Sequence, residues 1–165
     1  MTALNTVRIE FLSHSANEAF ARSCAACFAA QLDPTLEELG DLKTAVSEAV
    51  TNAVVHAYPS NLGKVLMKLR LLEGGILEVT VKDWGCGIPD VEKAMEPLYT
   101  TGGEERSGMG FSIMACFTDK LRVRSAPGKG TTVVMRKKFS PRKRWPCHRD
   151  GAKEDISQAD NRRIE

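Results

Sequence analysis

The chain reads as an α+β protein, a two-layer α/β sandwich in which a mixed, mostly antiparallel sheet is covered on one face by helices. Three observations lead there. An alternating apolar run opens the chain, two amphipathic helical stretches follow it, and two hairpin signatures fill the second half.

Val7, Ile9 and Phe11 alternate with Arg8, Glu10 and Leu12, the period of a strand with one buried face. Ser15 and Glu18 have capping-box spacing and start a helix in which Ala19, Phe20, Cys24, Cys27 and Phe28 recur at helical intervals up to about Leu32. Asp33-Pro34 ends that helix and begins the next, because proline at the first helical position gives up no needed donor. From Pro34 to about Ala57 the apolar stripe is Leu39, Leu42, Val46, Val50, Ala53 and Ala57. Glu48 and Asn52, four apart, share another face, and periodicity leaves open whether that face is a solvated edge or the wall of a pocket.

Val65, Met67, Leu69 and Leu71 alternate, as do Leu77, Val79 and Val81, with Glu73-Gly74-Gly75 between them, so this stretch is a β-hairpin. Its second strand runs into Asp83-Trp84-Gly85-Cys86-Gly87, and Asp90 to Met95 has room for a short helix. Pro97 to Gly108 has no apolar period and reads as a mobile, lid-like loop. Gly108-Met109-Gly110 leads into a helix through Phe111, Ile113, Met114 and Phe117 that ends near Asp119. Leu121 and Val123, a Pro127-Gly128-Lys129-Gly130 turn and Thr131 to Phe139 form a second hairpin. After Phe139 the pattern stops. Residues 1–139 are expected to be one domain and 140–165 a basic, disordered tail.

Among the 165 residues, the tail holds seven Lys/Arg against five Asp/Glu, which leaves sixteen of each in the body. A neutral body argues against a nucleic-acid surface, and no direct nucleic-acid partner is expected. Five cysteines at irregular spacing, without a cationic-then-apolar leader, point to a reduced, cytoplasmic protein. No apolar run approaches the roughly 20 residues of a membrane span, so no membrane partner is expected. Cys24 and Cys27 lack a second pair for a metal and read as core packing, Cys147-His148 is equally unsupported as a ligand pair, and His14 and His56 read as surface or edge residues.

Each chemical motif is weak alone. Asp83-x-Gly85-x-Gly87 after a strand could be an ordinary turn, or a carboxylate reading an exocyclic amine beside glycines that admit a flat base. Gly108-x-Gly110 before a helix could be a plain junction, or free amide donors at the positive end of a helix dipole, which suit phosphate. A dinucleotide fingerprint does not fit, since the third glycine and the parallel βαβ unit are missing. Glu48 and Asn52 could be a hydrophilic helix face, or a carboxylate that deprotonates a nucleophile one turn from an amide oxygen that binds magnesium. In sequence, these four features form a joint pattern that points to ATP or ADP with Mg2+.

In Val46-Ser47-Glu48-Ala49-Val50-Thr51-Asn52-Ala53, Gly85-Cys86-Gly87-Ile88-Pro89-Asp90 and Glu105-Arg106-Ser107-Gly108-Met109-Gly110-Phe111 the chain resembles the ATPase and kinase superfamily of DNA gyrase, Hsp90, sensor histidine kinases and MutL, with its Bergerat-type ATP-binding fold. Asn17 to Arg22 and Gln31 to Thr35 narrow the resemblance to the small anti-sigma-factor serine kinases of the anti-sigma F type, and it covers about residues 5–139.

The resemblance implies a cytoplasmic homodimer that holds a sporulation sigma factor (sigma F-like) inactive and phosphorylates a serine of an anti-anti-sigma partner. It implies Glu48 as general base, Asn52 as magnesium ligand and Asp83 as adenine reader. Gly85 and Gly87 would lie beside the base, Gly108, Met109 and Gly110 under the phosphates, and Thr131 near the adenine. Arg106, just before the glycines, would stabilise charge on the γ-phosphate. Arg22 and Arg106 resemble contacts to the sigma factor. A nucleotide-regulated binding module without transfer, and a stress-response anti-sigma kinase, are the competing readings. Trp84 stands where relatives are acidic or small and polar, and Ala57 where they often have glycine.

Overall fold

The computed structural model describes residues 2–96 and 108–140. The strands are β1 (Ala3–Leu12), β2 (Lys64–Leu72), β3 (Ile76–Asp83), β4 (Lys120–Ala126) and β5 (Gly130–Lys138), and the helices are α1 (Ala16–Ala29), α2 (Leu36–His56), α3 (Val91–Ala94) and α4 (Gly110–Phe117). The strands form one sheet in the order β1-β2-β3-β5-β4. Every neighbouring pair is antiparallel, so the expected α+β sandwich is present but its sheet is not mixed among the described residues.

Strand alternation sends the odd-numbered residues of β1, β2 and β3 toward the helices. Met67, Leu69, Leu77 and Val79 are fully or almost fully buried there, with Val133 and Met135 of β5 beside them. Leu42, Val46, Val50 and Ala53 of α2 close the same core. Each fully buried leucine or valine stabilises the fold by about 1.5–3 kcal/mol, which is why the apolar stripe of α2 fixes its rotation on the sheet.

Three details of the helices differ from expectation. Ser15 makes no capping hydrogen bond through its side chain, and Glu18 instead accepts one from the Thr51 hydroxyl at 2.9 Å. The capping box sits at Thr35, whose Oγ1 accepts from the Glu38 amide while Glu38 Oε2 accepts from the Thr35 amide. Pro34 therefore precedes the cap and does not occupy the first helical position. The buried face of α1 is Ala21, Ala25, Ala26 and Ala29, whereas Phe20 and Cys27 are exposed and Cys24 and Phe28 half-buried. Small side chains win that face because α1 packs closely on α2, whose Ala45 and Ala49 are also buried.

The expected short helix is α3, capped by the Asp90 side chain, and both hairpins form with the predicted turns. Most of the Pro97–Gly108 loop, including Arg106, and nearly all of the tail lie outside the described residues. Among the described residues no helix is long and apolar enough to cross a membrane.

Candidate functional site

A cleft of about 800 Å³ opens between α2, the end of β3, the start of α4 and β5. Glu48, Asn52, Asp83, Gly87, Gly108, Met109, Gly110 and Thr131 all line it, as do several residues the sequence did not single out, among them Ile88 and Phe111. The open question about the Glu48–Asn52 face of α2 is thereby answered: it is pocket wall.

Asp83 is the last residue of β3, only 4% exposed. Its Oδ1 accepts the amides of Gly85 and Thr131, both at 3.0 Å. Neither bond uses Oδ2, which is left to meet a donor in the cleft. Burial pushes the Asp83 carboxyl above the ordinary aspartate range, and the amides of Gly85 and Thr131 pull partly against that. Glu48 is also pushed above the ordinary glutamate range, first by burial and then by the like charge of Glu18.

The glycine loop is packed against the end of α2. A Cβ on Gly85 would lie 2.5 Å from the carbonyl carbon of Ala57 and 2.6 Å from the Ala57 side chain, so no side chain fits at 85. The Cys86 amide donates to that same Ala57 carbonyl at 2.9 Å. Gly85 itself does not line the cleft; its role is to let the loop seat on α2. Gly87 adopts φ 72° with its α-carbon against the Ala126 carbonyl, where the Gly128 amide donates to the Cys86 carbonyl at 2.7 Å. The second hairpin thus clamps the loop from the other side.

Ser125, one residue before the end of β4, had no signal in the sequence. Its hydroxyl accepts the Ile88 amide at 2.7 Å and lies 2.9 Å from the Thr131 hydroxyl, so it ties the loop wall to β5. Tyr58 does the same for Trp84: its hydroxyl accepts the Trp84 amide at 2.9 Å and donates to the Lys64 carbonyl at 2.6 Å. Serines and tyrosines in structural hydrogen bonds carry no periodic signature, and only the fold brings these partners together.

α4 begins at Gly110 with Met109 at its N-cap position, and Gly108 takes φ 62°. The point that a Cβ of Gly110 would occupy is 3.1 Å from Glu48 Oε2 and 3.4 Å from Asn52 Nδ2. Free amides and the positive end of a helix dipole therefore face a carboxylate and an amide across a narrow gap, an arrangement able to hold a phosphate chain. Asn52 Oδ1 and the Glu48 carboxylate are hard oxygen donors, and no group of three acidic, histidine or cysteine ligands occurs among the described residues. That sparse set suits magnesium, which keeps several waters and shares its shell with substrate phosphates. Arg22 is exposed on α1 and does not line the cleft.

The histidine kinase-like ATPase domain family matches residues 12–137 of the chain. An anti-sigma F factor of Caldanaerobacter subterraneus is 55% identical over 134 residues, covering 81% of this chain and 93% of that protein. One from Pasteuria penetrans is 57% identical over 137 residues, covering 82% and 91%. Among solved structures, the blue-light activated histidine kinase of Erythrobacter litoralis superposes with a TM-score of 0.53 at 28% identity, over 67% of this chain but only 33% of its own length. A Mycobacterium tuberculosis structure of RsbU and RsbW domains shares the fold with a TM-score of 0.61 at 18% identity, over 82% of this chain and 32% of its own.

Proposed function

Because the chain belongs to the histidine kinase-like ATPase domain family, with anti-sigma F factors among its relatives, we propose that it is an ATP-dependent protein-serine kinase that also inhibits a sporulation sigma factor. The observation that carries this reading is the convergence of Glu48, Asn52, Asp83, Gly108, Gly110 and Thr131 on one cleft.

Asp83 Oδ2 takes the exocyclic amine of adenine, with Thr131 beside the base and Gly87 giving it room. The amides of Gly108 to Gly110 take the phosphates. Asn52 would hold Mg2+, which would neutralise phosphate charge. Glu48 accepts the proton of an attacking serine hydroxyl; the serine oxygen bonds to the γ-phosphorus as the bond to the bridging oxygen breaks, and ADP leaves. A glutamate whose proton affinity is raised by burial is suited to that base role. Arg106 stabilises the transferring phosphoryl group, and Arg106 and Arg22 contact the sigma factor. The serine belongs to an anti-anti-sigma factor, and the protein acts as a cytoplasmic homodimer, with residues 140–165 as an appended tail.

The test is transfer of labelled γ-phosphate to the cognate anti-anti-sigma protein by wild type and Glu48→Ala, alongside a sigma-factor pull-down. Wild type is expected to transfer, and the variant to lose transfer while keeping the sigma factor. No transfer by wild type with its cognate substrate present defeats the kinase reading.

A further inference from the structure

The body of the chain is neutral, yet its charges are not mixed. The sheet face turned away from the helices carries the even-numbered residues of every strand, and the register arranges them in cross-strand rows. One row has Glu78 between Arg70 and Arg136, with Lys120 at the edge. The next has Arg8, Lys68 and Arg122, and the third has Glu10, Lys82 and Arg124. Three adjacent rows thus hold eight cations and two carboxylates, while the rest of residues 1–139 holds eight Lys/Arg against fourteen Asp/Glu.

Glu78, 5% exposed, pairs with Arg70 at 2.9 Å and Arg136 at 2.7 Å. Glu10 pairs with Lys64 at 3.5 Å. Among the described residues the other six cations have no carboxylate within salt-bridge distance. Arg8 and Lys68 even sit directly opposite one another, a like-charge pairing that weakens a sheet. The six cations outside those pairs draw no ion-pair stabilisation from the described part of the fold. At one end of the face Trp84 is 42% exposed, with the Lys64 and Lys82 ammonium groups 4.7 and 4.6 Å from its ring centre. Leu12, opposite Lys64 in the register, is 53% exposed.

We propose that this outer sheet face docks an acidic protein surface, with Trp84 and Leu12 as its apolar anchor. Exposed tryptophan and arginine are the residue types most enriched in binding hot spots, and this face carries Trp84 with Arg8, Arg122 and Arg124. Two such faces repel, so a symmetric dimer does not form by pairing this face with itself. A nucleic acid fits poorly: the cations spread over five strands instead of tracking a groove, and a single exposed tryptophan gives one stacking position where a bound single strand uses several. The nucleotide cleft lies on the opposite side of the sheet, so this docking is separate from the proposed ATP chemistry and compatible with a filled cleft. Five strands at about 4.8 Å give a face about 20 Å wide, and about six residues at about 3.4 Å each, from the Glu78 row to Trp84, make it about 20 Å long; the resulting area of roughly 400 Å² is below the roughly 800 Å² per partner of a standard interface unless its flanks join in. The contact is therefore transient, fast and salt-sensitive.

The experiment uses the full chain with Trp145→Phe, so that Trp84 emission reports the face, and titrates it with poly-L-glutamate and, separately, with single-stranded oligothymidylate. Poly-L-glutamate is expected to change the emission, with affinity falling about tenfold or more as salt is raised. A Lys120→Gln/Arg122→Gln/Arg124→Gln variant on the exposed β4 edge is expected to lose about tenfold in affinity while binding ADP as before, and Arg8→Gln/Lys68→Gln does the same from the β1–β2 edge of the same face. Substituting Arg142, Lys143 and Arg144 by glutamine leaves binding unchanged. Wild-type affinity in both face variants overturns the proposal, as does dependence on the three tail residues, failure of poly-L-glutamate to bind, or tighter binding of oligothymidylate lost in the same variants.

Discussion

Gly85→Ala measures how closely the glycine loop must seat on α2. The added methyl group would stand 2.5–2.6 Å from the carbonyl carbon and side chain of Ala57, and closer still to the carbonyl oxygen, where ordinary contact begins near 3.4 Å. Loop and helix end have to part by about 1 Å, and both are backbone, so no rotamer change absorbs it. Overpacking of this kind costs about 1–3 kcal/mol, and stretching the Cys86 amide bond to Ala57 adds about 1 kcal/mol. A loss of about 2–4 kcal/mol lowers Tm by about 6–15 °C in a domain of this size. Asp83 moves with the loop, so ADP binding is expected to weaken by about tenfold or more. Gly40→Ala is the control of opposite sign. Gly40 lies inside α2 with nothing near its missing Cβ, and alanine there stabilises by about 0.5–1 kcal/mol. Thermal denaturation and ADP titration of both variants are the assay, and a Gly85→Ala protein with wild-type Tm and ADP affinity refutes the reasoning.

Asp83→Asn can still accept the Gly85 and Thr131 amides through Oδ1, but it turns an amide donor toward the adenine amine; isothermal titration should find the loop folded and ADP affinity reduced about 10–100-fold. Glu48 is held above its ordinary proton affinity by burial and Glu18, so its protonation favours the folded state; that contribution is complete below the unfolded-state value and disappears as pH rises through the folded one. Glu48→Gln should accordingly be more stable than wild type at neutral pH in nucleotide-free protein, with the difference shrinking in urea titrations at acid pH; equal stability at both pH values contradicts it. Thr35→Ala removes one arm of the capping box on α2 and should cost about 1 kcal/mol by chemical denaturation, whereas Ser15→Ala, with no capping bond to lose, should cost far less.

Strands and hairpins were legible because alternation has period two and a burial pattern of one face fixes it: Val65 to Leu71 and Leu77 to Val81 pair as their spacing predicts. The stripe of α2 was equally legible, since Leu42, Val46, Val50 and Ala53 are all buried. The face of α1 was not. Larger residues gave the stronger periodic signal, yet alanines occupy the interior because the α1–α2 contact is close, and closeness is a property of two helices together. Ser15 likewise had the spacing of a cap without the geometry, and Glu18 found a partner 33 positions away in Thr51.

Local patterns were enough for the fold class, the order of elements and the cleft residues Glu48, Asn52, Asp83, Gly108 and Gly110, because each belongs to a strand end, a helix face or a glycine turn. Contacts between distant elements make the Glu48 face a pocket wall, seat Gly85 on α2 outside the cleft lining, and use Ser125 and Tyr58 to hold the loop in place. The tertiary structure also divided a neutral body into a basic sheet face and an acidic remainder. Summed charge is a property of composition, but the side of a sheet on which each charge stands follows from strand register, which sets Arg8 of β1 and Arg122 of β4 on one face although they lie on opposite edge strands.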